Sequence, residues 1–380
     1  MFLLQYKKII CVLTATATMS LMSMNINAAF STVHLDKRSA KNNTYQSNQF
    51  ASIDYLTASL DGTEFYAIEG SYTGKNSLYV IDAKTGRTTK KINLPNVTGN
   101  SNTYGPFSMI ISPKGKMIYI VASTEIIKVD AINKEISAVI STGNKSSDRS
   151  IDISGDGLRA ISADFADYGG NDETYIHIVD TQKNILTDAI PKGSDPDKVY
   201  RSGFANLVVD KLTNKVYLID DHTNSIAIFD LNTKKLQLNA IPLSSRISIW
   251  SMAIDSSHGL LYVIEPDKDV LDIIDVKTKK IMEQVNVGGS PDEVLLSPDG
   301  RTAYVRLAES SKVTVVDTIS HRIIKTIQVP YRSSKLHVSS DGKQIYTISE
   351  SHIFGDNWSN VEILDADTGT EINYFPVEKI

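Results

Sequence analysis

The sequence predicts an all-β fold, a seven-bladed β-propeller of four-stranded antiparallel blades, and two observations carry that prediction. A short β-branched run ending in Asp recurs seven times, and a tight turn of the Ser-x-Asp-Gly kind keeps the same beat. The runs are Leu78–Asp82, Ile126–Asp130, Ile176–Asp180, Ile226–Asp230, Leu271–Asp275, Val313–Asp317 and Val361–Asp365, with Asp-to-Asp steps of 48, 50, 50, 45, 42 and 48 residues. A fixed period of this length marks units that bury their apolar faces only against copies of themselves. With no helical periodicity between the copies, closure into a ring leaves no long strand edge bare.

Each element of the unit has a local cause. The turn stands at Ser59–Gly62, Ser112–Gly115, Ser154–Gly157, Ser297–Gly300 and Ser339–Gly342, in altered form at Asp210–Asn214 and Asp255–Gly259. Its Gly supplies the positive φ that matches strand twist. The following strand usually carries Tyr near its start: Tyr66, Tyr119, Tyr217, Tyr262, Tyr304 and Tyr346. In the sixth unit, Glu293–Ser297, Thr302–Leu307, Lys312–Asp317 and Arg322–Val329 are the four strands. The Asp that ends each third strand is placed to accept hydrogen bonds from turn amides, an Asx-type structural role. The fourth strand is polar and forms the outer edge.

The 380 residues have a formal charge of −5, which argues against a protein that coats nucleic acid. Lys7 and Lys8 precede an uncharged apolar run ending near Ala28 and Ala29, the pattern of a cleavable secretory signal over residues 1–28. Thr and Ser dilute the run, which weakens the alternative of a retained membrane anchor, and no later stretch approaches membrane length. Cleavage removes Cys11, the single cysteine, so no disulfide framework or thiolate metal cluster is expected. Residues 29–48 are expected as a tail or a closing strand, and 49–380 as one propeller of about 50 residues per blade. The mature chain is expected in the periplasm or secreted, as a monomer.

The sixth unit combines Ser290-Pro291-Asp292, Ser297-Pro298-Asp299-Gly300, Tyr304-Val305, Val315-Val316-Asp317 and Ile323-Ile324-Lys325-Thr326-Ile327. These residues resemble the YVTN repeat of the YncE-like seven-bladed propellers, a family of mostly exported bacterial proteins. The resemblance runs from about Phe50 to the C-terminus, and units three and four depart from it in their turns and loops. It implies a scaffold strongly and an activity weakly.

Function is expected on the face that carries the first-strand entrances and the loops between second and third strands. Tyr104, Arg149, Tyr200, Arg201, Arg246, Trp250, Arg332 and Trp358 are the candidate ligand-binding residues, with Phe204 and Lys335 in the same entry segments. Rigid aromatics and Arg are what binding hot spots are made of, although the same residues also pack at blade junctions. The segments 164–173 and 350–360 read as long loops able to flank the channel mouth. Asp164, Asp167 and Asp172 are hard oxygen donors that make a divalent metal conceivable, with a solvated acidic loop as the simpler reading. No cofactor is predicted.

Catalytic constellations are weak. No H-E-x-x-H, G-x-S-x-G or phosphate-binding Gly loop is present. His222 and His352, with Glu265 and Glu350, form the best available acid/base set, and His177 and His337 fall within strands. The first expectation is therefore a non-catalytic exported propeller that binds a small ligand or an envelope protein. The second is a propeller enzyme of the lactonase-like hydrolase, metal-assisted lyase or amine-dehydrogenase heavy-chain type. Single-stranded nucleic acid is a minor third, given the acidity of the same face.

Overall fold

The computed structural model describes residues 50–69, 76–95, 108–122, 124–143, 147–165, 174–192, 203–220, 223–243, 251–330, 333–353 and 356–380; of residues 147–149, 165, 351–353, 356 and 357 it describes the backbone. Blade 1 comprises β1 (Tyr55–Ala58), β2 (Glu64–Glu69), β3 (Ser77–Asp82) and β4 (Thr88–Asn93). Blade 2 has β5 (Ser108–Ile111), β6 (Met117–Ala122), β7 (Glu125–Asp130) and β8 (Glu135–Ser141). Blade 3 has β9 (Ser147–Ile153), β10 (Arg159–Phe165), β11 (Tyr175–Asp180) and β12 (Ile185–Pro191). Blade 4 has β13 (Phe204–Asp210), β14 (Lys215–Asp220), β15 (Ser225–Asp230) and β16 (Lys235–Pro242). In blade 5 these are β17 (Met252–Asp255), β18 (Leu260–Glu265), β19 (Val270–Asp275) and β20 (Lys280–Asn286). Blade 6 runs through β21 (Pro291–Leu296), β22 (Thr302–Leu307), β23 (Lys312–Asp317) and β24 (Arg322–Gln328). Blade 7 closes the series with β25 (Ser333–Val338), β26 (Gln344–Ile353), β27 (Asp356–Asp365) and β28 (Glu371–Pro376).

Each sheet keeps its four strands in chain order, and every pairing is antiparallel. The first strands touch in succession around the ring, and β25 touches β1, so the ring is closed. The seven-bladed all-β propeller expected from the repeats is the observed fold.

Apolar cores lie between blades, one at each of the seven junctions. The blade 7–1 junction packs Ala51, Phe65, Tyr346 and Phe375, and the blade 4–5 junction packs Tyr217, Ile219, Ile241, Leu243 and Leu261. The middle strands read as continuous apolar runs because both their faces are covered, and the outer strands alternate because one face meets solvent. Thus β3 is buried along its length, while β8 alternates exposed and half-buried residues.

The turns behave as their residues dictate. Each third-strand Asp uses Oδ1 to accept turn amides two or three residues ahead, as when Asp130 receives the Ile132 and Asn133 amides at 2.8 and 2.9 Å. In all seven, bonds from the residue three places on lead in holding the carboxyl below its usual range. The residue four places on takes a left-handed φ: Gly86, Lys134, Asn184, Lys234, Lys279, His321 and Gly369. Gly is required at two of these, since a Cβ on Gly86 would lie 2.4 Å from Phe375 and one on Gly369 2.7 Å from Ile327.

Two expectations need correction. Residues 350–360 are not a loop: β26 and β27 extend as a hairpin, with Glu350 opposite Ser359 and His352 opposite Asn357. Phe204, Lys335 and Arg149 stand within first strands, not in entry loops, because those strands begin earlier than the apolar pattern suggested. Among the described residues, all four strands of blade 7 come from the C-terminal segment. At the closure Phe50 bridges Glu378, the Ala51 amide donates to the Val377 carbonyl at 2.9 Å, and the Ile53 amide donates to Ser359 Oγ at 2.8 Å. Residues 29–48 lie outside the described residues.

Candidate functional site

The sixth residue of each second strand occupies one equivalent position near the loop-face end of its blade. That position holds Glu69, Ala122, Asp164, Asp220, Glu265, Leu307 and Ser349 in blades 1 to 7. Register places the residue three before the terminal Asp of the third strand diagonally opposite, on the same face of the sheet: Glu265 pairs with Val270, two residues before Asp272. Four blades join these two positions. Tyr79 donates its hydroxyl to Glu69 at 2.8 Å, and Ser349 donates to Glu362 at 2.7 Å. His177 Nδ1 lies 3.4 Å from Asp164, both fully buried, and blade 5 sets Glu265 against Asp272.

Blade 5 is the exception in kind. Three of the pairs join an acid to a group that donates or carries a proton of its own; blade 5 joins two carboxyls, both at 0% exposure. Gln284 Nε2 donates to Asp272 Oδ1 at 2.8 Å, and Lys268 reaches Glu265 at 3.0 Å from a one-turn 3-10 helix, Pro266–Lys268. Burial first, then the hydrogen bond and charge of Glu265, push the Asp272 carboxyl up to about 7. Burial also lowers His177, and the Asp164 charge opposes that shift.

Blade 6 adds a second polar group nearer the channel. Arg306 occupies the fifth position of the second strand, where the other blades have Ile68, Val121, Ala163, Ile219, Ile264 and Ile348. Its guanidinium reaches Asp292 at 2.6 Å, Glu293 at 3.3 Å and the Ser333 carbonyl of blade 7 at 2.8 Å. Glu293 in turn accepts the Leu336 amide at 2.9 Å, so this cluster fastens blade 6 to blade 7. Burial pushes the Asp292 carboxyl up to about 6 against the pull of Arg306.

The residues expected at the site fall into three groups. Tyr104, Tyr200, Arg201, Arg246, Trp250, Arg332, His222, Asp167 and Asp172 lie outside the described residues, and Arg149 and His352 are described by backbone alone. Trp358 is half-buried with its ring centroid 5.9 Å from that of Phe50, a place at the ring closure. Glu265 and Asp164 are buried within their blades, while Glu350 is exposed on the blade 7 hairpin. Among the described residues no three His, Cys, Asp or Glu side chains are grouped to hold a metal ion. His177, Asp272, Asp292 and Arg306 were missed as site residues. For Arg306 the signal available was departure from the repeat, a charged residue where the sibling blades keep an apolar one; the position of His177 and Asp272 is polar in several blades and gave no such signal.

Comparison with known proteins follows the same pattern. No family model matches the chain. The uncharacterized protein YncE of Salmonella typhimurium strain LT2 is 23% identical over 141 residues, 37% of this chain and 40% of that protein. Its counterpart in Salmonella typhi gives the same identity over the same length. Over that stretch the chain is similar to YncE. The YncE-like stretch spans about two fifths of the length of those relatives. Among solved structures, a chain of Kuenenia stuttgartiensis hydrazine synthase superposes with a TM-score of 0.61 at 16% identity, covering 86% of this chain and 99% of that one. At that identity the likeness shows the propeller fold alone. No helix among the described residues is long and apolar enough to cross a membrane.

Proposed function

We propose that this YncE-like propeller is exported and binds a small ligand or an envelope protein across its loop face, without catalysis there. One observation carries the reading: the acids at the sixth position of the second strands are committed inside the fold. Glu69 takes Tyr79 and Lys379, Asp164 takes His177 and the Tyr175 amide, Asp220 takes Lys192 at 2.8 Å, and Glu265 takes Asp272 and Lys268. Carboxylates spent on such bonds set blade geometry and leave recognition to the aromatic and Arg residues of the loops.

The test is capture from an envelope extract by purified protein. Trp250→Ala and Arg201→Ala are expected to lower capture of the bound partner about tenfold or more, with the unfolding midpoint nearly unchanged. Undiminished capture by both variants rejects the loop face as the binding surface. Export is tested by the intact mass of the protein recovered from the periplasm, expected to lack residues 1–28.

A further inference from the structure

Two carboxyls that share a buried place and a hydrogen bond cannot both be ionised without a large electrostatic cost, so such a pair retains one proton in common. The surroundings of Glu265 and Asp272 make this case sharp. Their own blade supplies Gln284 and Lys268, the latter 37% exposed and reaching in from the 3-10 turn. Blade 4 packs Ile219, Ile241 and Leu243 against blade 5, with Tyr217, whose hydroxyl burial pushes upward. Blade 6 contributes Asp292 and Glu293 on β21, both bound to Arg306. Asp269, the left-handed residue that ends the turn (φ 58°), is held by the Ser290 amide at 3.0 Å. The only cation reaching the pair among these groups is Lys268, and it sits on the segment that joins the two acids.

We propose that the Glu265–Asp272 pair is a proton-operated latch on the blade 5 loop. With one proton shared, Asp272 donates to the Glu265 carboxylate and residues 266–269 stay folded over the pair. When that proton leaves to water, two carboxylates face each other in a dry site, and the segment opens to admit solvent. The inference rests on blade 5 alone and stands or falls independently of what the loop face binds.

The sign is fixed by linkage. A carboxyl whose folded value is raised stabilises the closed state at low pH, and this contribution is lost as pH rises from about 4 through about 7. Hydrogen–deuterium exchange on the full chain, corrected for the intrinsic base-catalysed rate, reads it directly. Protection across residues 265–272 is expected to fall about tenfold between about pH 5.5 and 8, while the matching segment of blade 4 stays level. Asp272→Asn retains an amide that donates to Glu265 and is expected to abolish the fall, as is Glu265→Gln. Equal wild-type protection at both pH values overturns the proposal even if neither variant folds. So does a fall that persists in a folded Asp272→Asn protein.

Discussion

Blades 4 and 5 both end their second strand in an acid, and they neutralise it by opposite means. Asp220 meets Lys192, the first residue past the outer strand of blade 3, whose amide donates to Thr174 O at 2.8 Å. The residue at that point in blade 4 is Leu243, whose amide donates to Asn224 O at 2.9 Å, so this position brings Glu265 an apolar side chain where its counterpart brings Asp220 an ammonium group. Blade 5 answers from within, with Asp272 and its proton and with Lys268. A cation from the neighbouring blade ties two blades together at any neutral pH. A proton shared within one blade holds its pair only while the solution leaves it in place.

The largest expected effect breaks the blade 4 arrangement. Lys192→Ala takes the ammonium group from Asp220, a carboxylate at 0% exposure, and is expected to lower stability by about 4 kcal/mol in urea unfolding at neutral pH. A cost under about 1 kcal/mol would mean that water reaches Asp220 and that the contrast with Glu265 is smaller than the burial implies. Arg306→Met is next: it leaves Asp292 and Glu293 without their guanidinium at the blade 6–7 seam, at an expected cost of about 3 kcal/mol in the same measurement.

Asp272→Asn sharpens the comparison through its sign. The wild-type carboxyl near 7 contributes stability that is present in acid and lost toward pH 8. The variant is therefore expected to match the wild type at about pH 5 and to exceed it by about 1–2 kcal/mol at about pH 8, read from urea midpoints at the two values. A variant less stable than the wild type at about pH 8 would contradict the shared proton. Lys268→Ala should matter least, about 0.5 kcal/mol, because the ammonium is more than a third exposed and water replaces much of its attraction for Glu265.

The same contrast explains what was legible in the sequence. Strand number, blade count and Asx turns follow from residues that repeat, and repetition averages out the ambiguity of any single apolar run. The Asp-to-Asp period located all seven third strands, and Ser-Pro-Asp-Gly located the hairpins ahead of them. What escaped was what occurs once. Asp272 sits in an apolar strand and looks like an ordinary exposed acid until its register with Glu265 is known. Arg306 was hidden in a Tyr-Val strand for the same reason. The blade 7 hairpin was read as a loop because its mixed composition gives no alternation long enough to show pairing. Nor did composition reveal the closure, which depends on a backbone bridge from Phe50 to Glu378 and on the Ser359 hydroxyl.

That closure also has a consequence for how the chain is cut. Because blade 7 owns all four of its strands, the break between Phe50 and Glu378 falls at a blade boundary and severs no sheet. A gene permuted to begin at another inter-blade connection, with Glu378 joined to Phe50, keeps every blade continuous, as does one lengthened by a whole unit.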